Sequence, residues 1–303
     1  MKRRLAISAG LVVLILAAAS GAALAAPLPV VASFSVLGDL VQQVGGDRVR
    51  VTTLVGPDGD AHVFEPSPDD ARAIQAARLV VINGLGLEGW ISRLIRSSGY
   101  RGPVVVASAA VTPRRGGSGT GHAAEGGVDP HAWQNVANVK AYVRAIGEGL
   151  AAADPAGAAE YRAGAAAYLG RLEALDREVR AAFAAIDSAR RKIITSHDAF
   201  GYFGDAYGLA LLAPVGFGTE SEPSARAVGG LIDQIRREGI RAIFIENMSD
   251  PRLIQQIARE SGARVGGRLF SDALSAPGGP ASTYLEMVRH NKRLITDSLG
   301  RYP

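Results

Sequence analysis

"DPAGAAEYRAGAAAYLGRLEALDREVRAAFAAID", residues 154–187, sits in the middle of a chain of 303 residues. Asp154 can cap a helix and Pro155 suits its first position. Beyond them Tyr161, Ala165, Tyr168, Leu172, Leu175, Val179, Phe183 and Ile186 recur at steps of three and four residues. That spacing is the mark of a sustained amphipathic helix. Residues 155–187 as one helix would span about 50 Å, more than a single βα unit needs. The stretch therefore predicts a backbone helix that runs along two lobes and joins them.

The flanking sequence supplies both lobes. Before the helix, "VVASF" (30–34), "VRVTTLV" (49–55), "RLVVING" (78–84) and "PVVVAS" (103–108) read as strands. "SVLGDLVQQVGG", "DDARAIQAA" and "EGWISRLIRSS" read as the helices between them. After it, "RKIITS" (191–196), "LALLAPV" (209–215) and "RAIFIEN" (241–247) are strand-like, and "ARVGG" (263–267) is a weaker candidate. "SARAVGGLIDQIRREG", "PRLIQQIARESG" and "STYLEMVRHNKRLITDSLG" alternate with them as helices. Strands alternating with helices predict an α/β fold with mainly parallel sheets. The expected division is a leader at 1–25, an α/β lobe at 26–153, the linking helix at 154–188 and a second α/β lobe at 189–303. "PRRGGSGTGHAAEGG" (113–127) breaks the pattern and reads as a mobile surface loop.

The first residues point out of the cytoplasm. Lys2, Arg3 and Arg4 precede an apolar run, and small residues end in Ala23-Leu24-Ala25. This is the pattern of a cleavable secretory signal peptide. Cleavage removes those three charges, so the net charge falls from +4 to +1. No Lys/Arg stripe offers an electrostatic footprint for nucleic acid. With no cysteine, disulfides, thiolate metal sites and a lipid anchor on cysteine are all excluded. A soluble, untethered protein in the periplasm is the expectation.

Four short stretches carry the chemistry. They are "GDAHVFEPSP" around His62, "VDPHAWQNV" around His131, "ITSHDAFGYF" around His197 and "LFSDALSAPGG" around Asp272. Each is a loop, then a residue able to bind metal, then a helix. The four residues are 69, 66 and 75 positions apart, so any shared site is assembled by the fold. In open α/β sheets, ligands bind beyond the carboxyl ends of the strands. Three imidazoles and one carboxylate form a borderline donor set that favours zinc in a tetrahedral shell. Spacing alone leaves open whether the four form one site, since each could be a cap or turn residue. Glu65, Asp129, Asn135 and Glu246 are candidates to orient the imidazoles. His122 reads as loop filler and His290 as a solvated helix residue.

"GDAHVFEPSPDD", "DPHAWQNVANV", "ITSHDAFGYFGDAYGL" and "SDALS" together resemble the metal-binding proteins of bacterial ABC importers, the ZnuA/TroA family. The resemblance runs from about Val30 to Leu299. It implies metal ligands at His62, His131, His197 and Asp272, and zinc or manganese as cargo, one ion per chain. It also implies a membrane permease with a cytoplasmic ATPase as partner, and leaves room for a periplasmic zinc chaperone. Manganese members of the family commonly carry Glu where this chain has His197, so the resemblance leans to zinc. The short loop with a single His, and the absence of cysteine, look most like the AztC-like zinc branch. The expectation is a monomeric, non-enzymatic zinc-binding protein with no nucleic-acid partner. Its "GDAHVFEP" loop is the expected moving part. A secreted zinc hydrolase is the rival of another class and would need an open coordination position for water. A binding protein for an organic ligand would need aromatic and Arg-rich walls, and aromatic content is 6%.

Overall fold

A computed structural model describes residues 26–116 and 127–300. The leader, His122 and the middle of the Gly-rich stretch lie outside the described residues. Two four-stranded sheets form, both wholly parallel. The first contains β1 (Leu28–Phe34), β2 (Val49–Val55), β3 (Leu79–Ile82) and β4 (Val104–Val106), in spatial order β2-β1-β3-β4. The second contains β5 (Lys192–Ile194), β6 (Ala210–Leu212), β7 (Ala242–Glu246) and β8 (Arg264–Leu269), in the matching order β6-β5-β7-β8. The central strands β1, β3, β5 and β7 are largely buried, as parallel strands covered on both faces are, while the edge strands β2, β4, β6 and β8 are partly exposed.

Around the first sheet lie α1 (Ser35–Gly45), α2 (Pro68–Ala76), α3 (Ile91–Ser97) and α4 (Val136–Ala153). Helix α2 starts on a reciprocal capping box between Ser67 and Asp70, with Pro68 at its first position. The long helix is α5 (Ala158–Ala184). Around the second sheet lie α6 (Gly201–Tyr207), α7 (Ala225–Glu238), α8 (Pro251–Ser261) and α9 (Tyr284–Gly300). Glycines in the left-handed conformation close α6, α7 and α8 at Gly208, Gly239 and Gly262.

Helix α5 has 27 residues, about 40 Å, and begins later than the sequence suggested. Pro155–Gly157 forms a separate 3-10 turn, and the Asp154 side chain caps nothing. Its carboxylate instead accepts from Arg48 Nη2 at 3.0 Å and Tyr161 Oη at 2.8 Å. A tertiary ion pair has displaced the local cap. The expected stripe is otherwise in place. Tyr161, Ala165, Tyr168, Leu172, Leu175, Val179 and Phe183 are all buried. They face α4, α1, α9 and α6.

That stripe belongs to one continuous apolar core. It runs from Val30, Phe34 and Leu37 through Tyr142 and Leu172 to Phe203, Phe244 and Tyr284. The outer face of each sheet has its own smaller core. Ile74, Val80 and Leu94 pack under α2 and α3. Ile194, Ile232, Ile243 and Ile257 pack under α7 and α8. Two α/β lobes thus share a central core, and their strand ends meet in one crevice. No helix among the described residues is long and apolar enough to cross a membrane.

Candidate metal centre

Each of the four singled-out residues arrives at that crevice on its own segment, held by its own partners. His62 lies in the turn after β2. Its backbone N–H donates to Asp60 Oδ1 at 2.8 Å. Trp90 Nε1 donates to the neighbouring Ala61 carbonyl at 2.9 Å. Asp58, in the same turn, adopts φ +56°, a conformation Asp tolerates better than most residues.

His131 follows Asp129-Pro130 at the head of α4. Asp129 Oδ1 accepts from the His131 backbone N–H at 2.9 Å and lies 2.8 Å from Nδ1. Arg114 Nη1 contacts the other oxygen, Oδ2, at 3.2 Å. The Pro130 carbonyl accepts from Asn83 Nδ2 at 2.9 Å. Asn83 in turn rests on the buried Glu88, whose Oε1 accepts from the Asn83 N–H and from Ser33 Oγ. Burial pushes the Glu88 carboxyl upward, against the pull of these donors.

His197 follows β5. Its backbone N–H donates to Glu246 Oε1 at 2.9 Å, and its Nδ1 faces Glu246 Oε2 at 2.7 Å. Glu246 ends β7. Asp272 follows β8. Its segment is drawn onto the first lobe, where Trp133 Nε1 and Gln134 Nε2 both donate to the Ser271 carbonyl, at 2.9 and 2.8 Å. Ser35 Oγ accepts from the Leu274 N–H at 2.9 Å.

The four meet. His62 Nε2 and His197 Nε2 lie 3.2 and 3.3 Å from His131 Nε2. Asp272 Oδ2 lies 3.2 Å from His62 Nε2 and 3.1 Å from His197 Nε2. Asp272 Oδ1 lies 3.6 Å from His131 Nε2. One donor atom from each residue fits within 4.8 Å of all the others, the geometry of a group that could hold a metal ion. A tetrahedron with bonds of about 2.0–2.1 Å has edges of roughly 3.3–3.4 Å, so the separations suit a single small cation.

The site is dry. The side chains of His131 and Asp272 are fully buried, that of His197 is 1% exposed and that of His62 4%. The Asp272 oxygens face the three imidazole nitrogens of the cluster, and no further partner comes from the described residues. A buried carboxylate is costly unless a cation satisfies it, either a metal ion or a protonated imidazole. The electrostatics agree. Burial lowers the His131 imidazole, but the Asp272 charge and the bond to Asp129 outweigh it and raise it to about 9. His197 is likewise desolvated, yet Glu246 and Asp272 hold it well above the usual imidazole range. Burial alone would raise Asp272; the two imidazoles hold it well below the usual carboxylate range. In the metal-free protein the carboxylate stays ionised and protons occupy the place of a metal. Because Nδ1 of His131 and of His197 faces a carboxylate, each ring keeps its proton there and turns Nε2 inward as a donor.

Of the residues expected to orient the imidazoles, Asp129 and Glu246 do so. Asn135 instead caps α4 by accepting from the Ala137 N–H, and Glu65 is exposed. Asp60, Arg114, Glu88 and Ser35 were not singled out in the sequence. Asp60 and Glu88 act through the backbone, Ser35 on a partner 239 residues away and Arg114 across a 15-residue stretch, and no short-range pattern marks such roles. His290 lies on α9 with Nε2 3.0 Å from the Arg268 carbonyl, away from the cluster.

Comparison with known proteins places this geometry. The family profile described as zinc-uptake complex component A, periplasmic, matches residues 30–298. The chain is 31% identical over 275 residues to the manganese-binding lipoprotein MntA of Halalkalibacterium halodurans, covering 90% of this chain and 89% of that protein. It is 31% identical to the iron-binding protein YfeA of Yersinia pestis, covering 90% and 86%. Among solved structures, the periplasmic zinc-binding protein TroA of Treponema pallidum superposes with a TM-score of 0.83 at 31% identity, covering 90% of this chain and 99% of that one. The Mn-bound periplasmic metal-binding protein of Candidatus Liberibacter asiaticus superposes with a TM-score of 0.79 at 30% identity, covering 89% and 98%. This chain belongs to the ZnuA/TroA family of extracytoplasmic metal-binding proteins, which serve ABC importers as substrate carriers and are not enzymes.

Proposed function

We propose that this protein captures one zinc ion in the periplasm through His62, His131, His197 and Asp272 and hands it to its importer's permease, which the cytoplasmic ATPase drives. The observation that carries the reading is the Asp272 carboxylate, wholly buried and facing three imidazole nitrogens. Relatives carry names for manganese, iron and zinc, so the choice of metal rests on the donors. Three nitrogens and one oxygen favour zinc over manganese, and the general affinity order points the same way. Four protein donors fill a tetrahedral shell and leave no position for a reactive water, which argues against a hydrolase.

One feature favours a second reading. Both Asp272 oxygens face the cluster, so the carboxylate can bind through two atoms and give the fifth donor that manganese or iron accommodates. The experiment is calorimetric titration of the chelator-stripped protein with zinc and with manganese, with His197→Ala alongside. One tight zinc per chain, manganese at least about 100-fold weaker and a clearly weakened variant support the zinc reading. Comparable manganese affinity moves the second reading to the front. An unaffected variant removes His197 from the site.

The same reading keeps residues 1–25 as a cleaved leader and the chain as lobe, helix and lobe with breaks near 153 and 188. Unlike relatives named as lipoproteins, this sequence has no cysteine to carry a lipid. We therefore take the protein as free in the periplasm and monomeric, loaded directly or by a zinc chaperone. The short Gly-rich stretch with a single His, and the lack of cysteine, support a position beside the AztC-like members.

A further inference from the structure

A cleft of about 600 Å³ on the second lobe's side of the cluster reaches His197 and is lined by Asp60, Thr219, Glu222 and Met248 among others. Six waters at about 30 Å³ each come to roughly 180 Å³, so a hydrated cation fits inside. Asp60 and Thr219 meet in this cleft from opposite lobes. Thr219 Oγ1 donates to Asp60 Oδ2 at 2.7 Å across 159 residues of chain. The other oxygen, Asp60 Oδ1, holds the backbone N–H of His62. One carboxylate therefore ties a donor-bearing turn of the first lobe to the 214–221 segment of the second, which has neither helix nor strand.

The four donor side chains are closed to solvent, so loading and release both require an opening. His131, His197 and Asp272 are fastened to strand ends or core residues by partners that are themselves buried. His62 is fastened less deeply. Its turn is held by Asp60, by Trp90 on the Ala61 carbonyl, and by an exposed bond from Asn247 Nδ2 to Asp58 Oδ1. The Asn247–Asp58 bond and a backbone bond from the Asp58 N–H to the Leu274 carbonyl at 2.9 Å also join this turn to the second lobe. Of the cross-lobe ties, the Thr219–Asp60 bond is the one whose two residues both line the cleft.

Resting on the metal-binding reading above, we propose that the Thr219–Asp60 hydrogen bond is the gate of this cleft, a latch that governs how fast metal passes in and out. Thr219 is a positioning residue and touches no metal. A gate holds the site shut whether it is loaded or empty, so loosening it speeds passage in both directions and leaves the equilibrium in place.

The test is stopped-flow binding of zinc alone, and its release to excess chelator, in wild type, Thr219→Val and Thr219→Ser. Intrinsic fluorescence reports the site, since Trp90 is bonded beside His62 and the Trp133 ring lies 5.3 Å from that of His131. In Thr219→Val the on-rate and the off-rate both rise about fivefold, the equivalent of about 1 kcal/mol for a hydrogen bond of this kind, with Kd within about twofold. Thr219→Ser, which keeps the hydroxyl, behaves as wild type. Unchanged rates in Thr219→Val overturn the gate. So does a weaker Kd produced by the off-rate alone, which would make the contact a strut for His62. A wild-type protein that binds no divalent metal instead defeats the metal-binding reading and takes the gate with it.

Discussion

Asp129→Asn exchanges one oxygen of a fully buried carboxylate for an amide and probes how the protein fixes the tautomer of His131. In the native site Oδ1 faces two nitrogens of His131 and Oδ2 faces Arg114. The amide can lie in two ways, and each is unfavourable. With its oxygen toward His131, its NH2 meets the Arg114 guanidinium, donor against donor. With its NH2 toward His131, the imidazole must accept at Nδ1, so the proton moves to Nε2 and blocks the metal-facing nitrogen. Leaving a buried polar group mismatched costs about 1–3 kcal/mol, and losing the partner of a ligating imidazole typically costs about 10- to 100-fold in metal affinity. The two figures agree, since about 1.4 kcal/mol is tenfold. Competition against a chromophoric zinc chelator at pH 7 measures the loss, with circular dichroism melts of the metal-free proteins as the folding control. An affinity within about twofold of wild type, in a variant that folds normally, would refute the argument that Asp129 sets the donor state of His131.

Two further outcomes follow from the geometry. His131, raised to about 9, and His197, raised with it, carry protons in the metal-free protein at neutral pH. Metal must expel them, so zinc affinity weakens as pH falls below about 9, by about a decade per pH unit for each proton displaced. Calorimetry in two buffers of different ionisation enthalpy counts those protons, and an affinity that rises on acidification contradicts the sign. Gly164→Ala places a Cβ 2.3 Å from the Val44 carbonyl, between α5 and α1. Despite the better helix propensity of Ala, it lowers stability by about 1–3 kcal/mol; a raised melting temperature would show that the helices separate freely.

Much of this molecule was legible because its signals are local. "VRVTTLV" is β2 to the residue, and the three- and four-step stripe of α5 is buried as the period requires. The four metal-site candidates were visible as a repeated loop–donor–helix pattern at strand ends. What stayed hidden depends on contacts across the chain. The start of α5 was misplaced because Asp154 pairs with Arg48, 106 residues earlier, instead of capping. Nothing near Ser271 shows that Trp133 and Gln134 hold its carbonyl, and the Asp272 carboxylate faces its three imidazoles only once the fold has closed around them. Glu65 and Asn135 looked like partners of the imidazoles because they are near in sequence, yet only Asp129 and Glu246 come near in space.

The core that passes unbroken from β1 through α5 to Phe244 and Tyr284 bears on how the molecule could be taken apart. Neither lobe owns an interior sufficient to itself, since the helices on the inner faces of the two sheets pack against one shared helix, α5, with α4 and α1 on one side and α9 and α6 on the other. Cutting the chain in α5 would leave two fragments with sticky, half-finished faces, so a split reporter built there should fail to yield soluble halves. Heating should melt the whole protein in a single calorimetric transition, with no stage at which one lobe survives alone.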